Sequence, residues 1–469
     1  MPVTQEVRLA RHLALAAAAG AILNFIAFYP GILHHDAWAY FKAARDNDWT
    51  NWQPPLLGFL WIPLQKIYYG PQPMLVLFVV GYWSGFWLLA RSMIAEGRGI
   101  AIATFVAAFF PLALNFNGQL VKDVSMGICL LLAAGFAACF LRGVFRGRVT
   151  KTLPAFVLVV GAFMRANSLF ALPPLLDLAG ASASRRWAAR GLVQRAGIVC
   201  VLAALVAPAH LMADRYLFRV RDIAPMSQLQ VFDLGGISYF SGADAFQGFF
   251  GPDFPAKNRT CYTPRFWDVY GWGGCPEVYE NLKPKFGVEL TKLWLAGIAA
   301  HPVAYFTHRL AHLNRFLQFV CTNCKEMVFT GAQSTNQSEF IFAPTFLYRA
   351  IDTVSQAIND TPFGRPYVFL LVCLAWAWAA LAIPSAVTRQ TTLALALSGA
   401  MYALGFAVVG IASDYRYNFW IMLCAAVTTP AVIARVLARR AATLAYRLGP
   451  PVLIAAVILL REIVVRFAL

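Results

Sequence analysis

Apolar runs of about 20 residues recur along this chain, near 13–33, 73–95, 99–116, 124–142, 196–214, 366–386, 391–412, 416–434 and 450–466. That length is what a helix needs to cross the hydrocarbon core, where every backbone polar group must be satisfied within the segment. A membrane β-barrel would instead show alternating segments of about ten residues, and these runs do not alternate. The expected fold is therefore an all-α polytopic bundle. Composition points the same way, with 59% apolar and 13% charged residues against about 45–50% and about 25% in soluble domains. The first run lacks a small-residue cleavage site after it, so it reads as a span and not as a signal peptide.

The formal net charge of +17 could indicate a nucleic-acid partner, but its distribution excludes one. The basic residues fall in short links between apolar runs: Arg91 and Arg98; Arg142, Arg146, Arg148 and Lys151; Arg185, Arg186, Arg190 and Arg195; Arg435, Arg439, Arg440 and Arg447. The positive-inside rule assigns such links to the cytoplasm. The stretch 153–178 is interrupted at Arg165-Ala166-Asn167 and reads as two half-spans meeting at an outer polar turn. Segment 54–69 is apolar but short and opens with two prolines, so it is expected to lie along the outer surface as a juxtamembrane helix. The expected architecture has about 11 transmembrane helices. It divides into an N-terminal membrane module (1–214, with a first outer loop at 34–72), an outer insertion (215–365) and C-terminal membrane helices (366–469).

The insertion is rich in Gly, Pro and aromatics, as in Trp267-Asp-Val-Tyr-Gly-Trp272. Such a composition is expected to pack irregularly without being disordered. Four cysteines, Cys261, Cys275, Cys321 and Cys324, fall in it, and the other five fall in spans. Disulfides persist only on the oxidising side, so Cys261–Cys275 and Cys321–Cys324 are the expected bonds. His301, His308 and His312 share one amphipathic stretch with Tyr305, Arg309 and Arg315. His308 and His312 have a zinc-compatible spacing but no neighbouring Glu, so an interfacial helix touching lipid headgroups is expected.

Charges near apolar spans are costly and need a reason. Five polar groups collect at the outer ends of the expected spans: His34-His35-Asp36, Gln53 before Pro54-Pro55, Lys122-Asp123, Arg165 with Asn167, and Asp414, Arg416 and Tyr417. Each has a structural explanation too. Asp36 suits a helix N-cap, Lys122 and Asp123 suit a local ion pair, Arg165 can snorkel, and Arg416 can pair with Asp414. A shared function explains why they gather on one side. Arg and Lys neutralise a lipid phosphate at headgroup level, and a nearby carboxylate takes a proton from an acceptor hydroxyl.

In order and sidedness these motifs resemble those of GT-C glycosyltransferases. Tyr29-Pro-Gly31 followed by Asp36 and Gln53-Pro-Pro55 resembles the family's first outer loop and juxtamembrane motif. Lys122-Asp123, Met164-Arg-Ala-Asn167 and Ser413-Asp-Tyr-Arg-Tyr417 resemble patterns of its bacterial members. The superfamily includes the aminoarabinose transferases of lipid A and the protein O-mannosyltransferases. The likeness covers most of the chain apart from the insertion, and Gln53 stands where many members have His. It implies a bacterial inner-membrane enzyme whose site faces the periplasm, and inverting transfer of a sugar from a polyprenyl phosphate such as undecaprenyl phosphate. The acceptor would be a periplasmic glycan, lipid A or protein, with membrane lipids as the surroundings. Asp36 would be the catalytic base. His34, His35, Gln53, Lys122, Asp123, Arg165, Asn167, Asp414, Arg416 and Tyr417 would bind substrate. Asp36 lacks the adjacent acidic partner with which some members hold metal, so no cofactor is implied and a divalent cation stays open. Two rival readings remain: an O-antigen ligase or polymerase using a polyprenyl diphosphate, for which Asp36 is dispensable, and a lipid-linked sugar transporter or flippase with charges at the midplane.

Overall fold

The computed structural model describes residues 3–147, 150–320, 339–438 and 443–467. Among these the secondary structure is helical, with three isolated β-bridges and no strand. Seven helices are long and apolar enough to cross a membrane: Thr4–Phe28, Gln72–Glu96, Lys122–Leu141, Leu192–Leu217, Ala386–Val409, Tyr415–Leu437 and Leu444–Arg466. The chain is thus an all-α protein of membrane type. Among the described residues length and composition support seven full-length spans, and shorter apolar helices accompany them.

The departures from the sequence pattern have local causes. The first helix ends at Phe28, five residues short of the apolar run, because Tyr29-Pro30-Gly31 turns the chain and Gly31 adopts a φ of 114°, which favours glycine. The 99–116 run is not one helix. It breaks where Pro111, lacking an N–H, cannot continue the preceding turn, so Arg98–Val106 passes through a 3₁₀ turn and Pro111–Phe116 starts anew. Leu153–Met164 and Leu172–Ala183 are two short helices separated at Arg165. The apolar segment after Pro54-Pro55 forms the separate short helix Leu56–Ile67, with Pro63 inside it.

One end of the bundle is tied by a compact ion network. Glu96 pairs with Arg142 and, at 2.9 Å, with Arg435. Arg142 donates to Thr388 Oγ1 at 2.6 Å and Ser385 Oγ at 3.1 Å. The Lys122–Leu141 and Tyr415–Leu437 helices finish at this end and have their first turns at the other, where Leu153–Met164 stops.

The insertion meets the bundle at that second end. Its own core gathers Val231, Phe232, Ile237, Phe246, Tyr270 and Leu282. The helix Met226–Ser241 runs through this core and is buried over most of its length. Gly235 and Gly236 make that possible, since the Tyr270 and His308 side chains occupy the space their Cβ atoms would need. Cys261 and Cys275 are disulfide-bonded, with Cα atoms 5.9 Å apart; Cys321 and Cys324 lie outside the described residues. The later helix Phe346–Asn359 belongs with the bundle, where Asn115 donates to Asp352 at 2.9 Å and Thr345 to the Ala27 carbonyl at 3.0 Å.

The histidine face of the helix Pro302–Leu317 turns inward, while Val303, Phe306 and Leu310 on the same helix are exposed. On Pro302–Leu317, His308 and His312 are fully buried and Arg309 nearly so. Asp233, far away in sequence, pairs with Arg309 and, at 3.2 Å, with His308. Apolar burial of that face became possible because a carboxylate of the central helix neutralises it.

Candidate functional site

Three backbone bridges assemble the loops at the second end: Ile32 with Gln119, Thr50 with Arg221, and Phe266 with Ala412. The first joins the loop after the first helix to the segment preceding Lys122. The second joins the first outer loop to the start of the insertion. The third joins the insertion to the segment preceding Asp414, reinforced by Trp267 N donating to the Ile411 carbonyl at 2.8 Å. These pairings bring together side chains that the chain order keeps far apart.

The five polar groups of the sequence form one cluster around Arg416. Its Nη2 lies 2.6 Å from Asp36 Oδ2 and 3.0 Å from Asp414 Oδ2, and its Nε lies 3.7 Å from Asp123 Oδ2. Its Nη1 is 2.5 Å from His34 Nε2, 382 residues away in sequence. Asp123 also pairs with Arg165, whose Nε donates to Asn167 Oδ1 at 2.6 Å. The Arg165 guanidinium lies 4.1 Å from the centre of the Tyr417 ring, a cation–π contact. Gln53 Nε2 donates to Asp36 Oδ1 at 3.0 Å. Lys122 is half-buried, and its charge acts on Asp36 without a contact ion pair among the described residues. His35 is exposed, outside this network.

The local structural explanations fare unevenly. Asp36 is not the N-cap of His35–Asp46; His34 is, its Nδ1 accepting from the Asp36 N–H at 3.1 Å. Asp123 pairs with Arg165 and Arg416, where a local pair with Lys122 was the alternative. The Arg416–Asp414 pair is present, but Asp36 shares the same nitrogen.

Electrostatics distinguishes the groups. Burial would raise the Asp36 carboxyl, but Arg416, with Lys122 and His34, overrides it and holds Asp36 well below the usual carboxylate range. Burial, then the charge of Arg416, lowers the His34 imidazole to about 3, so it is neutral at physiological pH. Both of its ring nitrogens face donors, and a neutral imidazole accepts at only one of them.

Sequence reasoning missed Asp268. It follows the Phe266–Ala412 bridge directly, and burial together with the charges of Asp414 and Asp36 raises its carboxyl to about 6. The signal was the Trp267-Asp268 pair, which reads as packing until the insertion is docked. Tyr40 was also missed; it is buried beside the cluster, one helical turn after Asp36. Among the described residues no group of three or more His, Cys, Asp or Glu is placed to hold a metal. Comparison of the chain with protein-family models, curated proteins and solved structures finds no match.

Proposed function

We propose that this chain is an integral-membrane glycosyltransferase of a bacterial inner membrane, moving a sugar from a polyprenyl phosphate to an acceptor on the periplasmic side. The observation that carries the reading is the convergence of Arg416, Arg165 and Lys122 with Asp36 and Asp123 at the ends of helices and not at their middles. Cations at that level suit a lipid phosphate, and the carboxylate touching them suits a proton acceptor. With the seven long helices, the shorter Arg98–Phe109, Leu153–Met164, Leu172–Ala183 and Pro366–Ala380 make eleven passes. The basic links then fall at the Glu96 end, which supports a cytoplasmic position for it and a periplasmic one for the cluster.

The chemistry follows from the ion pairing. While Arg416 holds Asp36, that carboxylate is a poor base. A donor phosphate competes for Arg416 and Arg165, and its arrival loosens the Asp36 pair. The contact in which Arg416 and the His34 imidazole meet gives way most readily, since His34 already accepts from the Asp36 N–H. Asp36 then takes the acceptor hydroxyl proton as the acceptor oxygen bonds to the anomeric carbon. The bond from that carbon to the phosphate oxygen breaks, and polyprenyl phosphate leaves. Inversion at the anomeric carbon is what the GT-C resemblance implies.

The test is donor binding. Arg416→Ala and Arg165→Ala each lose a charge-assisted contact of about 1.5–3 kcal/mol, so affinity for polyprenyl phosphate in purified protein should fall roughly ten- to a hundredfold. Lysine should rescue only in part, because it keeps the charge and loses the fork geometry. If both variants melt earlier yet bind donor as the wild type does, the cluster is structural and the proposal fails.

A further inference from the structure

Beside the cluster, a pocket of about 350 Å³ opens in the wall made by the His35–Asp46 helix and the loop after it. That is at the small end of ligand sites, which run from roughly 300 to 1,000 Å³. Gln53 belongs to both places, since it lines the pocket and donates to Asp36. Tyr40 lines it too and is 4% exposed. Tyr40 Oη and Gln53 Oε1 are buried with no hydrogen-bonding partner among the described residues. Unpaired buried polar atoms are destabilising, so a ligand seated in this pocket that pairs with these two would relieve that cost.

The rest of the wall says which ligand. Trp49 and Trp52 are half-buried, and Trp52 packs 5.8 Å from Trp267, next to Asp268. Asp46 and Asp48 present exposed carboxylates, already engaged by Arg45 and Arg221 at 2.7 and 3.4 Å. Lys42 lines the same wall, so its charges are matched and it offers no net attraction for an anion such as phosphate. A neutral sugar has an apolar C–H face for an indole and a rim of hydroxyls for carboxylates, amide and phenol oxygens.

We propose that this pocket is a saccharide subsite that holds a sugar unit of the acceptor, presenting one of its hydroxyls toward Asp36. The assignment rests on the transferase reading and names its acceptor as a glycan.

Ligand-observed NMR and tryptophan fluorescence on the purified full chain test it, with methyl glycosides of glucose, galactose, mannose, N-acetylglucosamine and arabinose as probes. At least one should bind. Tyr40→Phe removes a single oxygen, and Asp48→Asn a single charge. Each should weaken binding roughly three- to tenfold, the range for one hydrogen bond, with an unchanged melting temperature. Inorganic phosphate should not compete. Binding of none of these glycosides, wild-type affinity in both variants, or displacement by phosphate would overturn the subsite. Polyprenyl-phosphate binding on the same preparations separates the two ideas. Donor bound without saccharide sinks the subsite alone, and saccharide bound without donor sinks the transferase reading.

Discussion

At Asp36 the proposed chemistry and the observed pairing pull in opposite directions, and that tension is testable. The Asp36–Arg416 contact stabilises the ionised carboxylate, whereas a base needs some appetite for a proton. Asp36→Asn keeps the shape and removes the proton acceptor, so transfer should be abolished while expression and melting temperature stay near normal. Turnover close to wild type in the purified variant would remove Asp36 from the mechanism. Asp268 offers a contrast, because burial and its acidic neighbours raise it to about 6. A group of that kind loses its charge as pH falls through 6, whereas Asp36 stays ionised there. If ionised Asp268 assists transfer, the rate should fall below about pH 6, and Asp268→Asn should flatten that limb. A limb that survives unchanged in Asp268→Asn assigns it elsewhere.

Among the elements, the histidine helix Pro302–Leu317 shows what a one-dimensional pattern leaves out. Its amphipathic spacing was legible, but not what faced it. Asp233 sits on another helix, so a buried charged face looked like a headgroup-facing one. The polar cluster was legible for the opposite reason: in a chain this apolar each charge near a span needs a purpose, whatever its partner. Partner choice, such as Arg416 reaching Asp36 as well as Asp414, depends on the three backbone bridges, which no local pattern announces. The break at Pro111 was visible in the chain but hidden by the hydrophobicity around it. The buried helix also carries a pH signature. Burial lowers His312 to about 3, below the ordinary value of about 6.5. The unfolded chain therefore takes up a proton between those values and the folded one does not, so stability falls as pH drops from 6.5 toward 3. Melting temperature should decline across that window, and His312→Asn should make the decline shallower. An equal slope in the variant would show that other groups, His34 among them, account for it.

For the molecule as a whole, orientation can be read with single cysteines at exposed sites. Asn47→Cys and Asn281→Cys lie in the first loop and the insertion, and Ala188→Cys lies in a basic link. In intact cells an impermeant thiol reagent should label the first two and spare the third, which should react only after lysis. Labelling of Ala188→Cys in intact cells would reverse the proposed topology. The ion networks at the two ends have a mechanical consequence. The Lys122–Leu141 and Tyr415–Leu437 helices are linked through Asp123 and Arg416 at one end, and through Arg142, Glu96 and Arg435 at the other. Struts pinned at both ends resist the rocking by which a carrier opens first to one side and then to the other. A bundle braced like this suits a stationary workbench, to which a long-tailed lipid comes sideways from its own leaflet and from which it departs the same way.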